Sequence, residues 1–181
     1  MQDTGIVRRI DELGRVVIPK ELRKTLRIRE GDPLEIYTNK DELVFKKYSP
    51  ISSISFHAEA VADGIEELTE KNCMVTDNDT VIYVSGGKNK DVIGRIISNE
   101  LENVMRERKS VILSKSDGSN MVSVVKGDQI EMENQIIVPI ISGGDCYGSV
   151  LIFDKDKSNR FSSADVKFAQ LGAAFLSRQF E

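Results

Sequence analysis

The strongest constraint on this chain is a shortage. Its first fifty residues read as strand, turn, strand, helix, strand, turn and strand, yet they hold few large apolar side chains. A unit of that size buries only a modest core on its own. It has no cysteine, no set of metal ligands and no aromatic cluster to compensate. Association with a second copy is the physical solution such a segment calls for. A two-fold pair would also present every surface charge twice on one assembly.

The local signals in this segment are specific. In "GIVRRI", Ile6, Arg8 and Ile10 alternate with Val7 and Arg9, as in a strand. "DELG" reads as a turn in which Gly14 supplies a permissive backbone. "RVVI" is short and β-branched, and Pro19 suits the first turn of the helix that follows. Leu22 and Leu26 share one face of that helix, Arg23, Lys24 and Arg27 fall on its flanks, and Gly31 is expected to end it. "PLEIYTNKDELVFKK" then reads as a hairpin around "NKDE".

Charge is distributed unevenly. The net charge is −4 over 181 residues. Between residues 8 and 29, however, eight basic side chains (Arg8, Arg9, Arg15, Lys20, Arg23, Lys24, Arg27, Arg29) face three acidic ones. A basic segment on an acidic body suits nucleic acid. On charge alone, a solvated surface face accounts for it as well.

"KKYSPISS" marks a boundary, so residues 1–50 and 51–181 are expected to form two domains. Beyond it, Ile51, Ile54, Ala58, Val61, Ile65 and Leu68 follow a heptad rhythm over less than three heptads. That is a helix seam against another helix, in this chain or in a second one. "NCMVTD", "TVIYVSG", "SVIL", "NMVSVV", "QIIVPII" and "CYGSVLIF" read as strands, and residues 93–105 as helical packing interrupted near Gly94 and Ser98. Ser162 and Asp165 form a capping-box variant at the start of a last helix, with Phe161 and Val166 placed for a hydrophobic staple. Its apolar face includes Ala169, Ala173, Leu176 and Phe180. Residues 51–181 thus read as an α+β domain, a mainly antiparallel sheet with helices from both ends available to pack together.

The stretch "TGIVRRIDELGRVVIPKELRKTLRIREGDPLEIY", continuing through "ELVFKKYSP", resembles the DNA-binding domain of the AbrB family of bacterial transition-state regulators; "LGRVVIPKELR" is its most specific part. The second half is similar to a GAF domain in its strand–helix order and in "VPIISGGDCYGSVLIF" followed by a capped helix. The first resemblance implies a swapped-hairpin fold in which two chains interleave and share one core. It also implies a DNA surface lined by Arg8, Arg15 and Arg23, with Lys24 where the family often has a second helical arginine. Lysine there keeps the charge and loses the bidentate fork. Arg9 and Lys20 are weaker, longer-range contributors. The whole resemblance implies a regulator that activates or represses sporulation-stage genes by binding double-stranded DNA. The expected assembly is a dimer of dimers, tetramerised through helices 51–69 and 163–180. The GAF-like part implies a sensor of an unidentified small molecule, an assembly module, or both.

Other chemistry finds little support. His57 is the only histidine and lies just off the seam, so no Ser-His-Asp set and no zinc cluster is available, and neither an enzyme nor a cofactor is expected. Cys73 reads as a small buried hydrophobe, and Cys146, after "SGGD", is a candidate redox sensor. "SGGKNKD" lacks the spacing of a phosphate-binding loop. No apolar run approaches the roughly 18–20 residues needed to span a bilayer, there is no leader-like h-region, and two cysteines fit a reducing compartment, so a cytoplasmic location without membrane is expected. The alternative is an antitoxin-type DNA-binding autorepressor, since similar swapped hairpins occur in toxin–antitoxin pairs. The regular apolar periodicity of the second half argues against a disordered toxin-binding tail.

Overall fold

The computed structural model describes residues 5–49, 51, 54–87, 89–127, 130–157 and 159–180. Pro50, Ser52 and Ser53 of the expected boundary, Lys88 of the glycine-containing loop, and Asp128 and Gln129 lie outside the described residues. The chain divides into two compact units, with the division between Tyr48 and Ser49.

The first unit contains helix α1 (Lys20–Thr25) and an antiparallel hairpin of β1 (Leu34–Asn39) and β2 (Glu42–Lys47). In the hairpin Ile36 lies opposite Phe45 and Thr38 opposite Leu43, so one face is apolar, as the alternation predicts. The "DELG" turn forms: the Gly14 N–H donates to the Asp11 carbonyl at 2.9 Å, and the Asp11 N–H to the Arg15 carbonyl at 3.0 Å. Gly14 takes φ 76°, the left-handed geometry that closes a three-residue hairpin loop.

Two expectations differ here. "GIVRRI" and "RVVI" are extended, but among the described residues they are not strands of a ladder. Several of their apolar side chains are left bare in a single chain. Val7 is 90% exposed, Leu13 75%, Val17 73% and Ile10 70%. The helix also ends at Thr25, well before Gly31. Arg27, at φ 54°, ends it in a Schellman motif, with the Ile28 N–H donating to the Arg23 carbonyl at 2.8 Å.

The second unit is a five-stranded antiparallel sheet in the order β4-β3-β7-β6-β5. Its strands are β3 (Asn72–Asp77), β4 (Val81–Val84), β5 (Val111–Ser114), β6 (Asn134–Ser142) and β7 (Asp145–Asp154). Helices α2 (Ser55–Thr69) and α4 (Ser163–Ser177) share a core with Val75, Ile136, Val138, Ile140, Val150 and Ile152 on one face. On the other, α3 (Asn99–Glu107) and its flanking loops pack against Met74, Ile137, Leu151 and Phe153. The central strands are therefore buried on both faces, which explains why "QIIVPII" is an apolar run and not an alternation.

α2 and α4 run antiparallel. At one end the Lys71 Nζ meets the Asp165 Oδ1 at 3.3 Å, and at the other the His57 and Phe175 rings lie 6.0 Å apart. Between them Gly172 permits close approach, because a Cβ there would sit 2.8 Å from the Val61 Cγ1. The capping box of Ser162 and Asp165 is complete. Phe161 and Val166 both pack on the helix-side core.

Three local expectations are corrected. α2 spans Ser55–Thr69 and not 51–69; its seam does meet another helix of this chain, with Val61 and Ile65 against Gly172 of α4, but Leu68 is 66% exposed and falls outside it. Residues 93–97 are not helical; Ser98 caps α3 by accepting the Leu101 N–H at 3.1 Å. "NMVSVV" forms no strand. The buried Gln135 side chain takes the place of a ladder there, accepting the Val122 N–H at 3.0 Å and donating to its carbonyl at 3.1 Å. Among the described residues no helix is long and apolar enough to cross a membrane.

Candidate nucleic-acid interface

All six basic residues proposed from the sequence are exposed: Arg8 and Arg9 before the Asp11–Gly14 turn, Arg15 after it, and Lys20, Arg23 and Lys24 on α1. Helical spacing brings Lys20 beside both Arg23 and Lys24. Arg23 and Lys24 occupy the last turn of α1, next to carbonyls that favour positive charge. Pro19, which is buried, links the turn and helix segments.

Arg15 is the most organised of the six. Its Nε lies 2.7 Å from the Asp11 Oδ2. The Asp11 Oδ1 in turn accepts the N–H of Leu13 at 3.0 Å and of Arg15 at 2.8 Å. The Arg15 N–H, and then the guanidinium, hold the Asp11 carboxyl below the usual carboxylate range.

Not every basic residue belongs to the surface. The Lys47 Nζ is 3.0 Å from the Asp32 Oδ2 and donates to the Arg27 carbonyl at 3.1 Å, while the Arg29 N–H donates to the same Asp32 carboxylate at 2.8 Å. This node ties the end of the hairpin to the segment after α1. Sequence reasoning missed it; the pairing of an acid after "EG" with a lysine fifteen residues on has no local signature. Arg27, counted among the basic side chains, is half-buried.

In the second unit the candidate groups are quieter. His57 is half-buried against the Phe56 and Phe175 rings, and no cluster of three or more metal-ligating side chains occurs among the described residues. Burial pushes both thiols up, most strongly for the fully buried Cys73; for Cys146 it outweighs the lowering influence of the Gly148 backbone hydrogen bond and of Arg108. That is the opposite of an activated thiolate. The sheet face away from α2 and α4 is filled by Met74, Val84, Leu101, Val125, Ile137 and Phe153, among others. The outer surface of α2 and α4 instead presents Phe56, Leu68, Leu171 and Phe175 to solvent.

Comparison with known proteins places both units. Residues 7–52 match the family model described as antidote-toxin recognition MazE, bacterial antitoxin. The chain is also 50% identical over 66 residues to the transition state regulatory protein AbrB of Bacillus subtilis (strain 168), covering 36% of this chain and 69% of that protein. Residues 53–181 match the model described as stage V sporulation protein T C-terminal, transcription factor. The fold of this part is similar to the solved GAF domain of an Acinetobacter phosphoenolpyruvate-protein phosphotransferase, with a TM-score of 0.56, 16% identity, and coverage of 71% of this chain and 87% of that one. An AbrB-type swapped-hairpin domain followed by a GAF-like α+β domain defines a transcription factor, not an enzyme. Over its full length the chain is 45% identical to stage V sporulation protein T of Bacillus subtilis (strain 168), with 182 residues aligned, 100% of this chain and 99% of that protein, and it belongs to that family.

Proposed function

We propose that this protein regulates sporulation-stage genes, activating some and repressing others, by gripping double-stranded DNA with Arg8, Arg15, Arg23 and Lys24 of an interleaved N-terminal dimer. Arg9 and Lys20 add longer-range attraction. The observation that carries this reading is the first unit itself: exposed cations stand on a frame whose apolar residues are bare in one chain. Pairing two copies covers Val7, Ile10, Leu13 and Val17 and sets two basic clusters on one assembly. Phosphate contacts then supply much of the affinity, while base contacts and duplex shape supply selectivity.

Residues 51–181 serve assembly, sensing, or both. The exposed Phe56, Leu68, Leu171 and Phe175 support pairing of α2 and α4 with those of another copy, giving a dimer of dimers with two DNA surfaces. An antitoxin needs a flexible toxin-binding segment; here that half of the chain is a packed five-stranded sheet with helices, which favours the regulator.

Anisotropy of a labelled AT-rich duplex with the full-length protein across a salt series tests the reading. Affinity is expected to fall steeply with salt, with a log–log slope of about −0.9 per phosphate neutralised. No binding even at low salt would overturn it. For the assembly, Leu171→Asp is expected to convert tetramers to dimers by sedimentation; an unchanged mass would remove α2 and α4 from the interface.

A further inference from the structure

We propose that Asp11 is a positioning residue for DNA recognition: it aims the Arg15 guanidinium so that its two terminal nitrogens face a base edge and not the phosphate backbone. The inference rests on the reading of Arg15 as a DNA contact and assigns its mode of recognition.

The geometry is local and complete within five residues, so it does not depend on a second chain. The Asp11 Oδ1 is fixed by the N–H groups of Leu13 and Arg15, at 3.0 and 2.8 Å, which stops the carboxylate from rotating freely. Its other oxygen, Oδ2, takes the Arg15 Nε at 2.7 Å. An isolated surface ion pair contributes little, because two mobile side chains must both be ordered. Here one partner is already ordered by the turn, and the arginine is held at the nitrogen nearest its stem.

The consequence follows from the shape of a guanidinium. With Nε engaged, side-on recognition through Nε and one Nη is closed, and the end-on pair Nη1 and Nη2 remains. An end-on pair fits the O6 and N7 acceptors of guanine in the major groove. Asp11 also places a negative charge beside Arg15, its side chain 42% exposed, where it repels phosphates on close approach. The pair therefore weakens the non-specific role of Arg15 and sharpens the directional one.

The sign of the effect makes a decisive test. Simple electrostatics says that Asp11→Asn, which removes a negative charge next to DNA, tightens binding to every duplex. Positioning says the reverse for a cognate site. The experiment uses the full-length protein, a duplex selected by it from a random pool, and an unselected duplex of the same length. Asp11→Asn is expected to weaken binding to the selected duplex by about tenfold, in the range of losing one bidentate base contact, while the unselected duplex binds equally well or more tightly. In the Arg15→Ala background the same change should no longer weaken binding, an outcome that a general loss of structure would not produce. Equal or tighter binding of Asp11→Asn to the selected duplex, with Arg15→Ala weakened, overturns the inference and leaves the DNA reading intact. Normal binding by Arg15→Ala overturns both. Asparagine keeps the acceptor oxygen for the turn; if the melting temperature nonetheless falls, Asp11→Ser, which also keeps a local acceptor, replaces it and is read by the same cycle.

Discussion

The two units of this chain handle apolar side chains in opposite ways. The second encloses Ile51, Cys73, Ile136, Ile152 and Leu176 completely between its own sheet and helices. The first leaves Val7, Ile10, Leu13, Val17, Ile36 and Leu43 on its surface, and α1 buries nothing. One unit is a finished fold and the other is half of one. Exposure in a single chain therefore means different things in the two places: in the second unit it lies outside a core that is already closed, and in the first it is the core itself.

The sharpest way to break that contrast is Val17→Asp. By its 73% exposure in one chain this is a surface change, for which an effect within about 0.5 kcal/mol is ordinary. In a shared core it buries an unpaired charge in each chain. Loss of the N-terminal dimer and of DNA binding is expected, with the melting of the second unit unaltered. A mass by light scattering unchanged from the parent protein would show that Val17 lies outside the shared core.

Asp165→Ala probes the finished unit. It removes the Asp165 half of the α4 capping box and leaves the buried Lys71 without its carboxylate, so a loss of about 3–5 kcal/mol in denaturant unfolding is expected. The pH dependence has a defined sign. Burial raises the Asp165 carboxyl, but the Ser162 hydrogen bonds and Lys71 outweigh it and hold it below its ordinary 3.8. A depressed carboxylate stabilises the fold fully above its unfolded value and less as pH falls through the folded one. The parent domain should therefore lose this contribution below about pH 4, and the variant should show a shallower acid limb.

Gly172→Ala should have a smaller effect. Its new methyl would lie 2.8 Å from the Val61 Cγ1 and 3.1 Å from the Ile65 Cδ1, so α2 must shift away from α4. A loss of about 1–3 kcal/mol is expected, and an unchanged midpoint would mean that the helices separate freely. Smallest for stability is Lys24→Ala, exposed on α1. The fold should be indifferent, while DNA affinity drops on all duplexes alike and the salt slope shrinks by about one unit.

Legibility in the sequence followed the range of the interactions. The capping box at Ser162, the turn at Gly14 and the β1–β2 hairpin are encoded within a few residues and could be read directly. The sheet strands were visible because an apolar run marks burial on both faces. "NMVSVV" was misread because its alternation is that of a strand, while the group that satisfies its backbone, Gln135, is distant in sequence. α1 was read too long because Arg27, not a glycine, adopts the left-handed geometry that ends it. "GIVRRI" and "RVVI" have strand patterns with no partner strand among the described residues of the chain. The basic residues proposed for the interface are exposed, as the charge pattern suggests, but the Asp11 clamp on Arg15 was not legible, since an i,i+4 acid–base pair in a turn resembles any other.

The bare apolar frame of the first unit also sets how the protein responds to its own abundance. A domain whose core needs two chains has its DNA-binding form at a concentration that rises with the square of free chain when chains are scarce. Doubling a low supply then raises the binding-competent pool about fourfold. The same shortage of apolar side chains that makes the segment unable to fold alone thus gives a linear rise in synthesis a threshold at the promoter.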